Sequence, residues 1–297
     1  MFNVTGDGMT VPTEAPTMVG VSAIAGLRVW LDGLSLHPET VLYARDRFGL
    51  DADALRELDI KGFDPDTDES GYTPVGRSFG SFPRMVVPFH GFDGVARGVQ
   101  GRDLSGKCPG RWVGLKNPTG SRWALYGVFP GSGGYGATII TEGPSDALTA
   151  VAVGYDAVAV RGASLAASPE LVQELADGLR GTQVIVAGDA DTAGTTFTER
   201  LAAGLAGHGI EVYALAIPAG VGDLNDWRNR NADAFPAELH RAVSAAKVPR
   251  AAAELSESRE ISNRTGTDSV TRDEGMEAAR ILAGLMARFG ESDAMNA

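Results

Sequence analysis

The chain has 297 residues, 43% of them hydrophobic, which is enough for two domains, each with its own core. Its formal net charge of −12 excludes a surface that grips nucleic acid indiscriminately, although a local basic patch stays possible. A single cysteine, Cys108, excludes a disulfide framework and a four-cysteine zinc ribbon within the chain and points to a reducing, cytoplasmic compartment, and neither a bilayer-spanning apolar run nor a secretory signal pattern is present.

Residues 1–22 are rich in Thr, Pro, Gly and Val without helical period, and read as a flexible tail. Apolar periodicity predicts a short helix from Ala25 to Leu34. A second begins at Pro38 and ends at Gly49, and a third covers Asp51 to Ile60. Residues 62–82, with many Asp, Gly, Ser and Pro, read as a loop. MVVPF, HGFDG and VARGVQGR then read as strand, turn and strand, with Pro88 suited to an edge.

Between Arg84 and Tyr126 there are seven basic residues against only Asp93 and Asp103, a positive segment in an acidic chain. Arg102, Arg111 and Arg122 are candidates for holding phosphates of a nucleotide or a template, with a solvated face as the alternative. Trp112 and Trp123 suit base stacking or a core. GSGGYG at 131–136 lacks the Lys-Ser/Thr of a P-loop and reads as a linker.

From Ala137 onward short apolar runs alternate with helical stretches. Strands are expected at 137–141, 156–160, 183–188 and 210–217, and helices at 144–154, 168–180 and 193–208, with a closing helix from Phe235 to Ala246. This order implies a mostly parallel sheet covered on both faces, with ligands at the carboxyl ends of its strands. Glu142 and Asp146 follow the first apolar run, Asp189 and Asp191 follow the third, and Asp223 follows the last. Carboxylates crowded on one rim raise one another's pKa unless cations neutralise them, and hard oxygen ligands suit Mg²⁺ or Mn²⁺. The competing reading is that each acid merely caps a helix. Gly143 and Gly194 are expected to let the backbone approach a ligand. Residues 247–272 read as a disordered linker. Residues 273–290 read as an amphipathic helix suited to docking on a partner or folding back on the body.

The series TEGPSDAL, GDADTAG and GDLND, with the Gly162-Ala163-Ser164 turn between the first two, resembles the TOPRIM domain shared by bacterial-type primases, topoisomerases and some nucleases. Ahead of it, the strand ending Gly101-Arg102 and the Arg111-Trp112 pair resemble the segment preceding that domain in primases. The resemblance implies an α/β chain: a smaller mixed, basic primase-like domain at 23–130, then a Rossmann-like TOPRIM domain at 131–246. It implies Glu142, Asp146, Asp189 and Asp191 as the catalytic acids, with Glu142 as acid/base and Asp146 supporting it, and Glu142, Asp189, Asp191 and Asp223 holding two or more Mg²⁺ or Mn²⁺ ions, without zinc. Arg102, Arg111, Trp112, Arg122 and Asn225 would contact nucleotide or template. The implied activity is a nucleotidyltransferase: synthesis of short RNA primers from NTPs on single-stranded DNA, in the reduced layout of a phage or plasmid protein. A replicative helicase could dock on the C-terminal helix, and no membrane is involved. A TOPRIM nuclease and a non-catalytic replication module binding single-stranded DNA and a helicase are the alternatives.

Overall fold

The computed structural model describes residues 17–68 and 80–255. The expected helix at 273–290, residues 1–16 of the expected tail and residues 256–272 of the expected linker lie outside them.

Three helices open the described chain: α1 (Val21–Gly33), α2 (Pro38–Phe48) and α3 (Ala52–Glu57). Pro38 sits in the first turn of α2, where a missing N–H costs nothing, and Gly49 closes it with φ 89°, a left-handed angle. Asp51 caps α3 by accepting from the N–H groups of Asp53 and Ala54. The expected tail ends before residue 22. Thr17–Met18 forms β1, parallel to β6 (Ser121–Arg122), and Val19 is buried with Leu27, Trp30 and Leu31. The apolar Met18-Val19 pair finds a core and is held there.

A four-stranded antiparallel sheet follows, ordered β2-β3-β4-β5, from β2 (Lys61–Phe63), β3 (Arg84–His90), β4 (Ala96–Asp103) and β5 (Trp112–Gly114). Although β3 is an inner strand, β2 reaches only as far as Val86. Pro88 therefore pairs with Val99 on one side alone, and its missing donor breaks no ladder. Trp123 is only 1% exposed, packed beside Val86 and Val99, and its Nε1 donates to the Lys116 carbonyl. Of the two readings left open for Trp123, base stacking or core, its enclosed ring takes the core.

The second sheet, ordered β11-β10-β8-β9-β7, uses β7 (Tyr126–Phe129), β8 (Ala137–Thr141), β9 (Asp156–Val160), β10 (Gln183–Ala187) and β11 (Val212–Ala214). All neighbours are parallel except β7, which runs antiparallel to β9. The boundary expected after residue 130 therefore cuts through this sheet, since β7 precedes it. Between and after the strands come α4 (Pro144–Ala152), α5 (Pro169–Gly178), α6 (Thr192–Gly207), α7 (Leu224–Arg230) and α8 (Phe235–Ser244).

Side-chain alternation assigns the two faces of this sheet. Ile140, Val158, Val160, Val184 and Val186 pack on α5 and α6. Ile139, Ala157, Ala159 and Ile185 share a core with α4 and α8, and also with Phe48, Leu55, Met85, Val87 and Phe89. Each half keeps a core of its own, Val19, Leu27, Trp30 and Trp123 in the first and the α5–α6 side in the second, and this third core joins them. A parallel sheet needs both faces covered, and here the amino-terminal half supplies part of the cover. The expected linker is likewise shortened: Lys247 bridges to Ala214, residues 250–255 are helical, and Ala252 is buried against the α5–α6 side. No described helix is long and apolar enough to cross a membrane.

Candidate active site

Parallel pairing of β8 with β10 sets Thr141 beside Ala187, so the chain leaves both strands at one level and delivers Glu142 and Asp189 to the same edge. Three hydrogen bonds staple the acidic loops there. Asp189 N–H donates to Glu142 Oε1 at 2.9 Å, Ala190 N–H to the Gly222 carbonyl at 2.8 Å, and Asn225 N–H to Asp146 Oδ1 at 2.9 Å. Acids widely separated in sequence therefore share one rim.

The helices rising from this rim are capped by the same acids. Asp191 Oδ1 accepts from Gly194 N–H at 2.8 Å to start α6, and Asp223 Oδ1 accepts from Asp226 N–H at 2.5 Å to start α7. A Cβ on residue 194 would stand 2.0 Å from the Asp189 carbonyl oxygen. Gly194 thus makes room for the backbone of Asp189 and not for a ligand, which corrects the expectation for it. Gly143 does face open space.

Crowding shows in the protonation equilibria. Burial, then the charges of Glu142, Asp223, Asp191 and Asp226, push Asp189 up to about 7. Burial raises Glu142 as well. The Asp189 N–H works against that rise, and the Asp191 charge adds to it. Asp146, 8% exposed, is raised well above the usual range by burial and then by Asp223, and its Oδ1 supports the Asn225 backbone from beneath the rim. Expected as a catalytic residue, Asp146 is placed as a support.

Among the described residues, no three His, Cys, Asp or Glu side chains come together closely enough to hold a metal ion alone. The reason is visible: one oxygen each of Asp191 and Asp223 is spent on a helix cap, one of Glu142 on Asp189 N–H, and Asp146 is buried. The second oxygens of Glu142, Asp191 and Asp223 and both of Asp189 carry no protein hydrogen bond among the described residues. Such a donor set fits Mg²⁺, which keeps several waters and binds through one or two carboxylates plus substrate phosphates. The raised Asp189 is a mark of a charge deficit that a cation would relieve.

The basic residues divide. Arg102 Nε donates to Tyr43 Oη at 2.7 Å, and its guanidinium carbon lies 5.7 Å from the Tyr43 ring centre and 5.8 Å from that of Trp112. Its terminal N–H₂ groups make no protein hydrogen bond among the described residues. Trp112 Nε1 donates to Ser145 Oγ at 3.0 Å, in the first turn of α4, and so ties β5 to the acidic rim. Arg111 is exposed. Arg122 and Asn225 depart from expectation. Arg122 is 7% exposed and bonds Glu170 at 2.8 Å and Glu174 at 3.4 Å, joining β6 to α5. Asn225 is 1% exposed, and its Nδ2 donates to the Arg47 carbonyl and to Thr149 Oγ1. Both are spent inside the protein: Asn225 satisfies buried polar groups that packing alone would leave unpaired, and Arg122 is held by the two glutamates at the edge of α5. Arg84 is also fully buried, bonded to the Gly101 carbonyl and Cys108 Sγ, and Arg97 pairs with Asp93, so the open basic surface is smaller than the residue count implied. Sequence reasoning missed Tyr43, Ser145 and Arg161. The last was findable, since it directly follows the 156–160 apolar run as Glu142 follows its own.

Residues 139–228 match the Toprim-like family. No curated protein matches the chain in sequence. Among solved structures, the zinc-binding and RNA polymerase domains of the Aquifex aeolicus primase are similar at 18% identity, covering 92% of this chain and 73% of that one, with a TM-score of 0.58. The E. coli primase catalytic core is similar at 17% identity, covering 90% of each chain, with a TM-score of 0.54. A DnaG primase catalytic domain bound to single-stranded DNA is similar at 16% identity, covering 90% of this chain and 89% of that one, with a TM-score of 0.56. The chain thus carries a Toprim-like segment and has the fold of a primase catalytic core.

Proposed function

We propose that this chain is the catalytic core of a DNA primase, a nucleotidyltransferase that joins ribonucleotides on a single-stranded DNA template. The observation that carries the proposal is the stapled rim of Glu142, Asp189, Asp191 and Asp223, facing β5 with Arg102 and Trp112 beside it. Topology alone is shared by proteins of several activities; the reading rests on these side chains together with the sheet that precedes them.

Asp189, Asp191 and Asp223, with Glu142 as a further oxygen donor, would hold divalent cations. When bound, Mg²⁺ or Mn²⁺ would supply electrostatic stabilisation of the attacking and leaving oxygens. The chain's own part is positional. Glu142 holds the Asp189 loop through a backbone N–H and keeps one oxygen for a proton or a cation. Asp146 fixes the Asp223 loop through Asn225. Arg102, clasped by two aromatic rings, presents its unspent guanidinium donors to phosphate, and exposed Arg111 adds positive charge. The rim lies at the carboxyl edge of a mostly parallel sheet, where such sheets bind ligands.

The test is incubation with single-stranded DNA, labelled NTPs and Mg²⁺ or Mn²⁺, beside an Asp189→Ala control. Short RNA products from the wild type and none from the variant are expected. Template shortening without synthesis would replace this reading with a nuclease. Binding of single-stranded DNA with neither reaction would replace it with a non-catalytic module.

A further inference from the structure

Arg161 stands on the acidic edge and has no role in the account above. β8 and β9 run parallel with Thr141 beside Ala159, so Glu142 lies level with Val160 and Arg161 is one residue further out on the neighbouring strand. Its backbone N–H donates to the Leu125 carbonyl at 2.8 Å, which fixes where the side chain starts. Opposite it is β5. Trp112 and Gly114, two residues apart, share one face of that strand. Trp112 reaches Ser145 in the first turn of α4, just beyond β8, and Gly114 lies against the Arg161 guanidinium. A Cβ on residue 114 would stand 2.8 Å from an Arg161 terminal nitrogen, so the glycine leaves the space that this guanidinium fills.

That guanidinium is undersupplied with partners. Of its five N–H donors one is used, from Nη1 to the Ala124 carbonyl at 3.1 Å. It has no ion pair among the described residues, and none of its nitrogens is sealed from solvent without a partner. The like charge that acts on it is Arg122, already paired with Glu170 and Glu174. Burial, and then Arg122, push the Arg161 pKa down, the direction expected of a cation short of an anion. A partly buried planar fork with donors to spare, one strand from the acids, suits a multiply charged phosphate group.

We propose that Arg161 is a substrate-binding residue that grips triphosphate oxygens of the incoming nucleoside triphosphate, in the seam between β5 and the acidic edge. This rests on the polymerase reading above. Binding is measured directly, so the two can fail separately. Wild type, Arg161→Gln, Arg161→Lys and Gly114→Ala are titrated with ATP and Mg²⁺ by calorimetry and with a fluorescein-labelled oligothymidylate by anisotropy, with a melting curve for each. Arg161→Gln is expected to weaken ATP binding at least about tenfold, the scale of a lost charge-assisted contact, while the oligonucleotide dissociation constant changes less than about twofold. Arg161→Lys, which keeps the charge and loses the fork, should recover part of the loss. Gly114→Ala, which keeps Arg161 and displaces it, should weaken ATP binding in the same direction. Unchanged ATP affinity in folded variants overturns the proposal, as does no ATP binding by the wild type or an equal loss of both ligands, which would assign Arg161 to a nucleic-acid backbone. Should Arg161→Gln fail to fold, Arg161→Lys and Gly114→Ala decide the matter by the same comparison. ATP binding that depends on Arg161 without any synthesis would sink the polymerase reading alone.

Discussion

At the scale of single residues, the acids of the rim work under electrostatic strain, and that strain has a sign. Asp189 is pushed up to about 7, above the usual value near 3.9 of an unfolded aspartate. Between roughly pH 4 and 7 the folded chain therefore holds a proton that the unfolded chain has released, and folding stability falls as pH rises through that window. Asp146 and Glu142 are raised too and act in the same direction. In metal-free buffer the melting temperature of the wild type should decline from pH 5 to pH 8. Asp189→Asn should flatten that decline and melt higher at pH 8 by an amount on the order of a few degrees, while primer synthesis is lost. A flat wild-type profile would show that the rim is not crowded in solution. Arg122 gives the opposite kind of result. Enclosed and paired with Glu170 and Glu174, it belongs to the fold. Arg122→Ala should destabilise by about 2 kcal/mol in chemical denaturation and leave the affinity of the folded protein for single-stranded DNA unchanged.

At the scale of elements, three short loops are placed by groups that touch one another across them. Asn225 bonds α2 through the Arg47 carbonyl and α4 through Thr149 and Asp146, so one buried side chain and its backbone position the Asp223 loop. Asn225→Ala should cost about 2–3 kcal/mol in stability and loosen metal binding together, since it leaves buried partners unsatisfied. Gly194→Ala would drive a methyl group into the Asp189 backbone, and is expected to cost about 1–3 kcal/mol and to lower primer synthesis. Wild-type melting and activity in that variant would show that the loop tolerates the shift. The strands and helices of this half were readable because each carries its own signal: an apolar run for a doubly covered strand, a Pro start at 144 and 169, an aspartate cap at 191. The helical start of the chain was readable from Pro38 and Gly49 for the same reason. Pairings that join distant segments left no such local mark. Thr17–Met18 is held by β6, and β7 belongs to the second sheet only because it meets β9. The cation residues show the limit best. Arg102 and Arg122 look alike in sequence, and what separates them is Tyr43 and Trp112 around one and two glutamates of α5 against the other.

At the scale of the whole molecule, the two sheets are not independent. The face of the second sheet that carries Ile139 and Ile185 shares a core with Phe48 and Phe89 from the first half, and the Trp112–Ser145 bond closes the seam above the rim. Basic and acidic residues are thereby held opposite one another by packing, so that an acidic chain presents a basic seam beside its acidic edge in one place. The arrangement would be of little use if the rim did not take up cations. Manganese binding, followed by electron paramagnetic resonance of the free ion with and without ATP, measures that directly. The account predicts saturable Mn²⁺ uptake by the wild type that tightens when ATP is present, and its loss in Asp189→Asn. Equal uptake by the wild type and Asp189→Asn, or no uptake even with ATP, would contradict it.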